Sequence, residues 1–210
     1  MLKNVEMRSA SPDSRYLVYQ RDISETDVEL WRLDLSDGTE KKITQGVDTP
    51  PKFSPDGKWI VFTRYGDEAV ALFKVPSGGG EPTMIYNEFL LAPAISPDGK
   101  TVVVEHSTIA LINFESGALI KRFNVKPERS PLSTLKKLQW TADGKGIYFI
   151  SRASGAANIW RQPVDGSPPV QVNDFKDGKI FNFAFSPDQS QILLSRGTFN
   201  SDVVLIENTE

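Results

Sequence analysis

Short apolar runs alternate with turn-forming residues along the whole chain, and the alternation repeats with a nearly constant period. The motif Ser-Pro-Asp-Gly-Lys at residues 54–58 comes directly before the apolar run Trp59-Ile60-Val61-Phe62. Related motifs recur every 42 to 45 residues and begin at Ser11, Ser54, Ser96, Thr141 and Ser186. Apolar runs this short, bounded by turn residues, predict β-strands, among them Pro51 to Phe53, Thr101 to Glu105 and Asn158 to Pro163. A period of this size carried by short strands predicts a β-propeller built from four-stranded blades.

Each motif has the chemistry of a tight turn between two strands. Proline presets φ for the first corner of a turn, and an aspartate side chain can accept hydrogen bonds from nearby backbone groups. Glycine adopts the positive φ that closes the turn. The repeated aspartates are Asp13, Asp56, Asp98, Asp143 and Asp188. Because they recur once per blade they should lie far apart, so we interpret them as turn caps and predict no metal site.

The repeats divide the chain into five units of one predicted propeller domain, residues 1–210. Their approximate limits are 1–49, 50–91, 92–136, 137–180 and 181–210. The fifth unit has predicted strands at Phe181 to Phe185, Gln191 to Ser195 and Val203 to Glu207, but no fourth strand. We therefore expect an open edge at Val203 to Glu207, which favours pairing with another chain, including a second copy. The five repeats are expected to be part of a ring of six or seven blades.

Composition limits the classes of partner. The net charge of −3 leaves no basic surface that would indicate nucleic-acid binding. No apolar run reaches the length of a membrane span, and residues 1–4 lack the apolar core of a signal peptide. The chain has no cysteine, which excludes disulfides and thiolate metal sites. We expect a soluble module that inserts in no membrane, in the cytoplasm or the periplasm according to its parent protein.

Catalytic and cofactor motifs are missing from the sequence. His106 is the single histidine, and no Gly-x-Ser-x-Gly nucleophile elbow occurs. The glycines at residues 78–80 lack the Gly-Lys-Ser/Thr that a phosphate-binding loop requires, so a hairpin turn is the better interpretation. The sequence predicts a protein that is not an enzyme, with no catalytic residue, no metal and no cofactor.

One set of polar residues recurs near the ends of the predicted second strands, about ten residues after each turn motif begins. Its members are Arg21, Arg64, His106, Arg152 and Arg196. Arg152 is offset by one residue, which we ascribe to an insertion at Gly146. Equivalent positions of a propeller lie on one circle, so these side chains would form a basic ring that binds an anionic ligand or an acidic peptide. The structural alternative is that each arginine joins blades by pairing with a carboxylate such as Asp22, Asp67 or Asp202.

These repeats resemble the TolB-type, WD-repeat-like β-propeller family of bacteria. The resemblance rests on the Ser-Pro-Asp-Gly turns, the aromatic third-strand positions Trp31, Phe73 and Trp160, and the glycine-rich turns, and it covers essentially the whole chain. The segment from Asp177 to Ile206 also resembles the last blade of C-terminal propellers attached to bacterial serine/threonine kinases and winged-helix regulators. Both resemblances imply a sensory or scaffolding module from a larger multidomain protein.

The lead hypothesis is a non-enzymatic module that recognises a protein or peptide. Propellers gather variable connections around a central channel, so the loops after the second and fourth strands are the expected contact surface. One alternative is a propeller that docks or gates a missing catalytic domain, as in kinase- or peptidase-associated propellers. Another is a propeller hydrolase or lyase with residues facing the channel.

Overall fold

The computed structural model describes residues 5–24, 28–46, 48–65, 70–88, 91–105, 108–125, 127, 138–186 and 188–198. Within these ranges the secondary structure consists of strands, turns and bends, without a helix. The strands form five antiparallel sheets, four of them four-stranded, and two described strands make up the fifth. The all-β propeller of five repeats predicted from the sequence is confirmed.

The eighteen described strands follow the repeats in order. The first sheet contains β1 (Val5–Ala10), β2 (Tyr16–Asp22), β3 (Val28–Asp34) and β4 (Glu40–Gln45). The second contains β5 (Asp48–Phe53), β6 (Trp59–Tyr65), β7 (Val70–Pro76) and β8 (Thr83–Tyr86). The third contains β9 (Leu91–Ile95), β10 (Thr101–Glu105), β11 (Ile109–Asn113) and β12 (Leu119–Phe123). The fourth contains β13 (Gln139–Trp140), β14 (Gly146–Ser151), β15 (Asn158–Pro163) and β16 (Val170–Gln171). The fifth contains β17 (Lys179–Phe185) and β18 (Ile192–Gly197).

Each sheet is a simple antiparallel meander, and its first strand makes the contacts with neighbouring sheets. In the described part of the chain β1 contacts β5, and β9 contacts β13. The first strands therefore lie closest to the axis around which the sheets are arranged. In four sheets the register between the first two strands shifts at a β-bulge. A bulge increases local twist, which suits strongly twisted blades.

The bulge explains why β5 is longer than its predicted extent of Pro51 to Phe53. Residues 50–51 are prolines, which donate no backbone hydrogen bond and usually end a strand. In β5 they lie where the register shifts, between the pairs Thr49–Thr63 and Lys52–Val61. A residue in a bulge needs no hydrogen bond to the neighbouring strand, so the strand continues through the prolines to Asp48.

The apolar core is divided into layers, each lying between two successive sheets. Val18 and Leu30 of the first sheet pack with Ile60 and Phe62 of the second. Equivalent clusters join the second sheet to the third, the third to the fourth, and the fourth to the fifth. Each blade is thus stabilised mainly by burial against its neighbours.

The turn motifs bind their own backbone as expected. In all five, the Ser or Thr hydroxyl donates to Oδ1 of the aspartate at 2.5–2.6 Å. The same hydroxyl accepts the amide five residues after it at 2.8–3.0 Å. The aspartate oxygen also accepts the amide two residues beyond it at 2.9–3.1 Å. The turn-cap interpretation of the repeated aspartates is confirmed.

The prediction that Gly146 is an insertion is wrong. Its amide donates to Thr141 Oγ1 at 2.8 Å, just as the Trp59 amide donates to Ser54 Oγ at 3.0 Å. Gly146 is therefore the first residue of β14 and the structural equivalent of Trp59. An added Cβ at Gly146 would lie 3.0 Å from Arg161 Cγ and 3.2 Å from Thr141 Cγ2, so a side chain there would require its neighbours to shift. The predicted strand at Val203 to Glu207 lies outside the described residues.

Candidate functional site

Three of the predicted basic residues occupy the same position in their sheets. Arg21, Arg64 and Arg196 are each the penultimate residue of the second strand. Arg152 differs, because the equivalent residue is Ser151, which pairs with Asn158 as Arg64 pairs with Ala71. Arg152 follows the end of β14 and is exposed. His106 lies outside the described residues. Three of the five residues therefore occupy equivalent positions, each in its own sheet.

Arg21 is held within the first sheet. Its Nη2 donates to Glu40 Oε2 at 2.7 Å and to Tyr19 Oη at 2.8 Å, and its guanidinium lies 4.3 Å from the Trp31 ring centre. The hydrogen bond to Glu40 raises the pKa of Arg21. Hydrogen bonds from Tyr19 and then from Arg21 lower the pKa of the Glu40 carboxyl. The positive charge of Arg21 is thus paired at short range.

Arg64 and Arg196 share one kind of contact. Each donates from Nη2 to the backbone carbonyl 19 residues earlier, Arg64 to Gln45 at 3.1 Å and Arg196 to Asp177 at 2.8 Å. Each guanidinium also covers an aromatic ring, 5.1 Å from Phe73 for Arg64 and 4.1 Å from Phe175 for Arg196. Arg196 pairs with the Asp177 carboxylate as well.

The Gln45 carbonyl lies at the end of β4 and the Asp177 carbonyl lies in the connection before β17. Each arginine therefore ties its blade to the chain coming from the previous one. A glycine follows each carbonyl, Gly46 and Gly178, and both have positive φ. A Cβ at either position would lie about 3.5 Å from the arginine Nε. The contacts favour the structural alternative for Arg64 and Arg196. Among the described residues the partners are backbone carbonyls, aromatic rings and, for Arg196, the Asp177 carboxylate. Two of the expected carboxylates, Asp67 and Asp202, lie outside the described residues.

A different site lies on the axis, at the ends of the first strands. A cavity of about 460 Å³ opens there, next to the turn motifs. Residues from the ends of β1, β5, β9 and β13 line it together with two turn prolines, Pro12 and Pro55. Its wall consists of Ala10, Pro12, Lys52, Phe53, Ser54, Pro55, Ala94, Ile95, Leu138, Gln139 and Trp140. Four blades therefore contribute to one concave surface.

The wall of this central cavity is mostly apolar and well ordered by packing. The Trp140 side chain is buried, and its Nε1 donates to the carbonyl oxygen of Ala94 at 3.0 Å, which joins the third and fourth sheets. Phe53 and Ala94 are buried beside it. Among the described residues that form the wall, one is charged, the half-buried Lys52. An apolar hollow with few polar groups is the usual form of a ligand site.

Sequence reasoning missed the central cavity. Most of its residues share one property, since eight of the eleven come just before a turn motif, but those eight include alanine, phenylalanine, leucine and tryptophan. Nothing in that mixture indicates chemistry. The one signal in the sequence that could have located the cavity was the recurring position of these residues at the end of each first strand.

Two further properties concern the described ranges alone. They contain no group of three or more His, Asp or Glu side chains placed to hold a metal ion. In the same ranges no helix is long and apolar enough to cross a membrane.

No protein-family model matches the chain. Relatives match by sequence, and two of them are the following. A protein of Agrobacterium fabrum, described as uncharacterized, is 28% identical over 193 residues, which cover 81% of this chain and 59% of that protein. The Tol-Pal system protein TolB of Francisella tularensis is 28% identical over 180 residues, 78% of this chain and 40% of that protein. The chain thus spans about half the length of these relatives.

Solved structures show the same architecture. A putative TolB from Agrobacterium tumefaciens has a TM-score of 0.69 and 26% identity over 92% of this chain and 70% of its own. TolB from Acinetobacter baumannii has a TM-score of 0.68 and 22% identity over 90% of this chain and 47% of its own. An oligogalacturonate lyase aligns with a TM-score of 0.67 at 16% identity over 92% of this chain and 63% of its own. At that identity the likeness to the lyase concerns the fold alone.

The resemblance of the last segment to kinase and regulator propellers stays a prediction. The turn motifs, the meander sheets and these likenesses lead to the same conclusion: the chain is a TolB-like β-propeller.

Proposed function

We propose that this propeller is a non-enzymatic module that recognises a protein partner through a peptide segment entering the central cavity. The observation that carries the proposal is the cavity of about 460 Å³, to which four blades contribute. A concave surface to which several blades contribute can contact a ligand from several sides. The loops after the second and fourth strands, favoured by the sequence, are largely outside the described residues.

The wall of the cavity indicates the chemistry of the segment. Apolar contacts would come from Phe53, Ile95 and Leu138, and the one charged side chain is that of Lys52. A lysine at the edge of an apolar hollow favours an acidic side chain or a terminal carboxylate of the bound peptide. We therefore expect a segment with an apolar residue next to an acidic one.

The relatives are compatible with a binding role. One of them is named as a protein of the Tol-Pal system, which places that protein in a system with other components. The likenesses to a lyase and to an acylaminoacyl peptidase, at 16% and 12% identity, are likenesses of fold. Docking of a separate catalytic domain therefore has no specific observation in its favour, and neither does lyase or hydrolase chemistry.

A peptide selection tests the proposal. Peptides selected from a random library on the unmodified chain would be measured for affinity with Ala10→Trp, which fills the cavity from an exposed position, and with Lys52→Glu. We expect each variant to bind at least tenfold more weakly, about 1.4 kcal/mol or more. The control Ala118→Trp, at an exposed turn away from the cavity, should bind normally. Equal affinity for Ala10→Trp and the unmodified chain would contradict the proposal.

The basic ring and the sensory role are separate proposals. Arg21, Arg64 and Arg196 already hold aromatic rings and oxygen acceptors, so an anion would have to compete with those contacts. Binding of inorganic phosphate that is lost in both Arg21→Gln and Arg64→Gln would support the ring. Three further predictions also stay proposals: that two copies pair through Val203 to Glu207, that the complete ring has six or seven blades, and that residues 1–210 form a single domain.

A further inference from the structure

A cation of the third strand fills the space between neighbouring blades at two places. Between the first and second sheets, Arg32 lies 4.2 Å from the centre of the Tyr16 ring and donates from Nη1 to the carbonyl oxygen of Ser77 at 2.7 Å. We call the space between two successive sheets a joint. At the first joint the chain thus supplies an aromatic ring, a positive charge and a carbonyl acceptor.

The joint between the second and third sheets has the same parts. Lys74 Nζ lies 5.0 Å from the centre of the Trp59 ring and 4.8 Å from that of Phe114. It donates to the carbonyl oxygen of Phe114 at 3.3 Å and to Glu115 Oε2 at 2.9 Å. Although the Lys74 side chain is only 6% exposed, it is satisfied by these rings and oxygens.

Among the described residues, the joint between the third and fourth sheets has neither the ring nor the third-strand cation at the equivalent positions. A cation of the fourth strand, Lys121, instead donates from Nζ to the carbonyl oxygen of Asp165 at 2.6 Å. Strand register identifies the equivalents, since Trp59 pairs with Pro76 as Thr101 pairs with Asn113. Thr101 therefore replaces the aromatic residue, and Leu111 replaces Lys74. The cavity at this joint measures about 590 Å³, against about 350 Å³ at the joint that Trp59 and Lys74 occupy.

The inner surface of this cleft combines apolar and acidic groups. Leu111 and Trp140 are buried in its floor, and Ile120 and Val164 lie along its outer part. The two charged residues that line it are both acids, Asp98 and Asp143. Each uses Oδ1 for its own turn motif, through the Ser or Thr hydroxyl and the amide two residues on. The charge of the cleft is thus complementary to a cation.

We propose that the cleft between the third and fourth sheets binds an arginine side chain and the adjacent aromatic ring of a partner peptide. These groups would restore the pair that Tyr16 and Arg32 form within the first joint. The guanidinium would face Asp98 and Asp143, and the ring would cover Leu111 and Val164. The site is distinct from the central cavity, so it goes beyond the proposed function.

The dipeptide acetyl-Tyr-Arg-amide is a direct probe, and acetyl-Tyr-citrulline-amide is its neutral isostere. Methyl NMR signals separate the two sites: Leu111, Ile120 and Val164 report on the cleft, and Ile95 and Leu138 report on the central cavity. We expect saturable shifts of the cleft methyls with the arginine probe, and binding at least threefold weaker with citrulline. Equal binding of both probes, shifts at Ile95 and Leu138 alone, or no shift would each overturn the proposal.

Two variants test the position of the site. Thr101→Trp combined with Leu111→Lys copies the filled second joint and should abolish the cleft shifts. If that variant does not fold, Asp98→Asn and Asp143→Asn remain available, since an asparagine Oδ1 still caps the turn. Each should weaken the arginine probe about threefold and leave the citrulline probe unchanged, because exposed ion pairs are weak. Asp13→Asn, which alters a turn motif outside the cleft, is the matched control. Unchanged arginine binding in both asparagine variants would also overturn the proposal.

Discussion

Arg32 and Ser77 join the first blade to the second through one hydrogen bond of 2.7 Å between a guanidinium nitrogen and a backbone carbonyl. Lys74 and Phe114 repeat the contact between the second blade and the third. The residues of each pair are 45 and 40 positions apart in the chain. Adjacent blades are therefore held by polar contacts in addition to their apolar layers.

The Lys74 contact can be tested by a substitution that keeps the volume of the side chain. We expect Lys74→Met to lower the free energy of unfolding by about 2 kcal/mol, because it removes a charged hydrogen bond to a carbonyl and a cation between two rings. Urea unfolding measures the change. Glu115→Gln is the control, since that side chain is 86% exposed and the change should cost less than about 0.5 kcal/mol. Equal losses in the two variants would contradict a buried role for Lys74.

Two glycines with nearly the same backbone conformation should respond differently to alanine. Gly117 and Gly99 have φ of 70° and 72°. An added Cβ at Gly117 would collide with the carbonyl oxygen of Ile85 in the preceding blade, whereas at Gly99 nothing lies within 4 Å. We expect Gly99→Ala to cost about 1 kcal/mol for the left-handed conformation, and Gly117→Ala to cost at least about 3 kcal/mol. Thermal unfolding distinguishes them, and similar melting temperatures would exclude the close approach to Ile85.

The turn aspartates should make the fold sensitive to acid. A hydrogen bond from the Ser186 hydroxyl, with those from Ser190, lowers the pKa of Asp188 from 3.8 to about 2. Hydroxyl hydrogen bonds likewise lower the pKa of Asp13, Asp56, Asp98 and Asp143. A carboxyl whose pKa falls on folding stabilises the native state above its unfolded pKa and loses that effect as pH drops through its folded pKa. The free energy of unfolding should therefore stay level from pH 7 to about pH 5 and decline between about pH 4 and pH 2.

Urea unfolding at a series of pH values measures this decline. Asp188→Asn keeps an oxygen acceptor but cannot titrate, so its stability should fall less steeply in the same interval. A stability that does not change between about pH 4 and pH 2 would show that these carboxyls keep ordinary pKa values in the folded protein.

A buried asparagine connects the fourth blade to the segment that leads into the fifth. Asn158 is fully buried, and it donates to the carbonyl oxygen of Phe175 at 3.2 Å and accepts the Phe175 amide at 2.7 Å. We expect Asn158→Ala to cost about 3 kcal/mol, because both backbone groups of Phe175 lose their partner. Because Arg196 of β18 stacks on the Phe175 ring, the backbone amides of β18 should also exchange their hydrogens faster in Asn158→Ala than in the unmodified chain.

Asn182→Ala provides the comparison in urea unfolding and hydrogen exchange. Its side-chain oxygen accepts the adjacent Phe183 amide at 2.9 Å, a bond between neighbouring residues that links no two blades. The change should therefore cost less than about 1 kcal/mol. Exchange in β18 that is the same in both variants would argue against a link through Phe175.

Local features of the chain were predictable because their causes are local. The strands Thr101 to Glu105 and Asn158 to Pro163 were predicted to the residue. Alternation of apolar residues defines such strands, and the Ser-Pro-Asp-Gly turn closes within five residues. Only the fourth repeat was misaligned at Gly146, since the pattern of residue types does not reveal which amide bonds Thr141 Oγ1.

By itself, the sequence determined the strands, the turns and therefore the repeated blade, because each depends on residues a few positions apart. The tertiary structure decided how blades meet: the carbonyl that Arg64 binds, the four strand ends around the central cavity, and the cleft beside Leu111. Those features join residues about one repeat apart or on different blades. Whether a joint is filled depends on side-chain size on both of its walls, which becomes visible only when neighbouring blades are packed together.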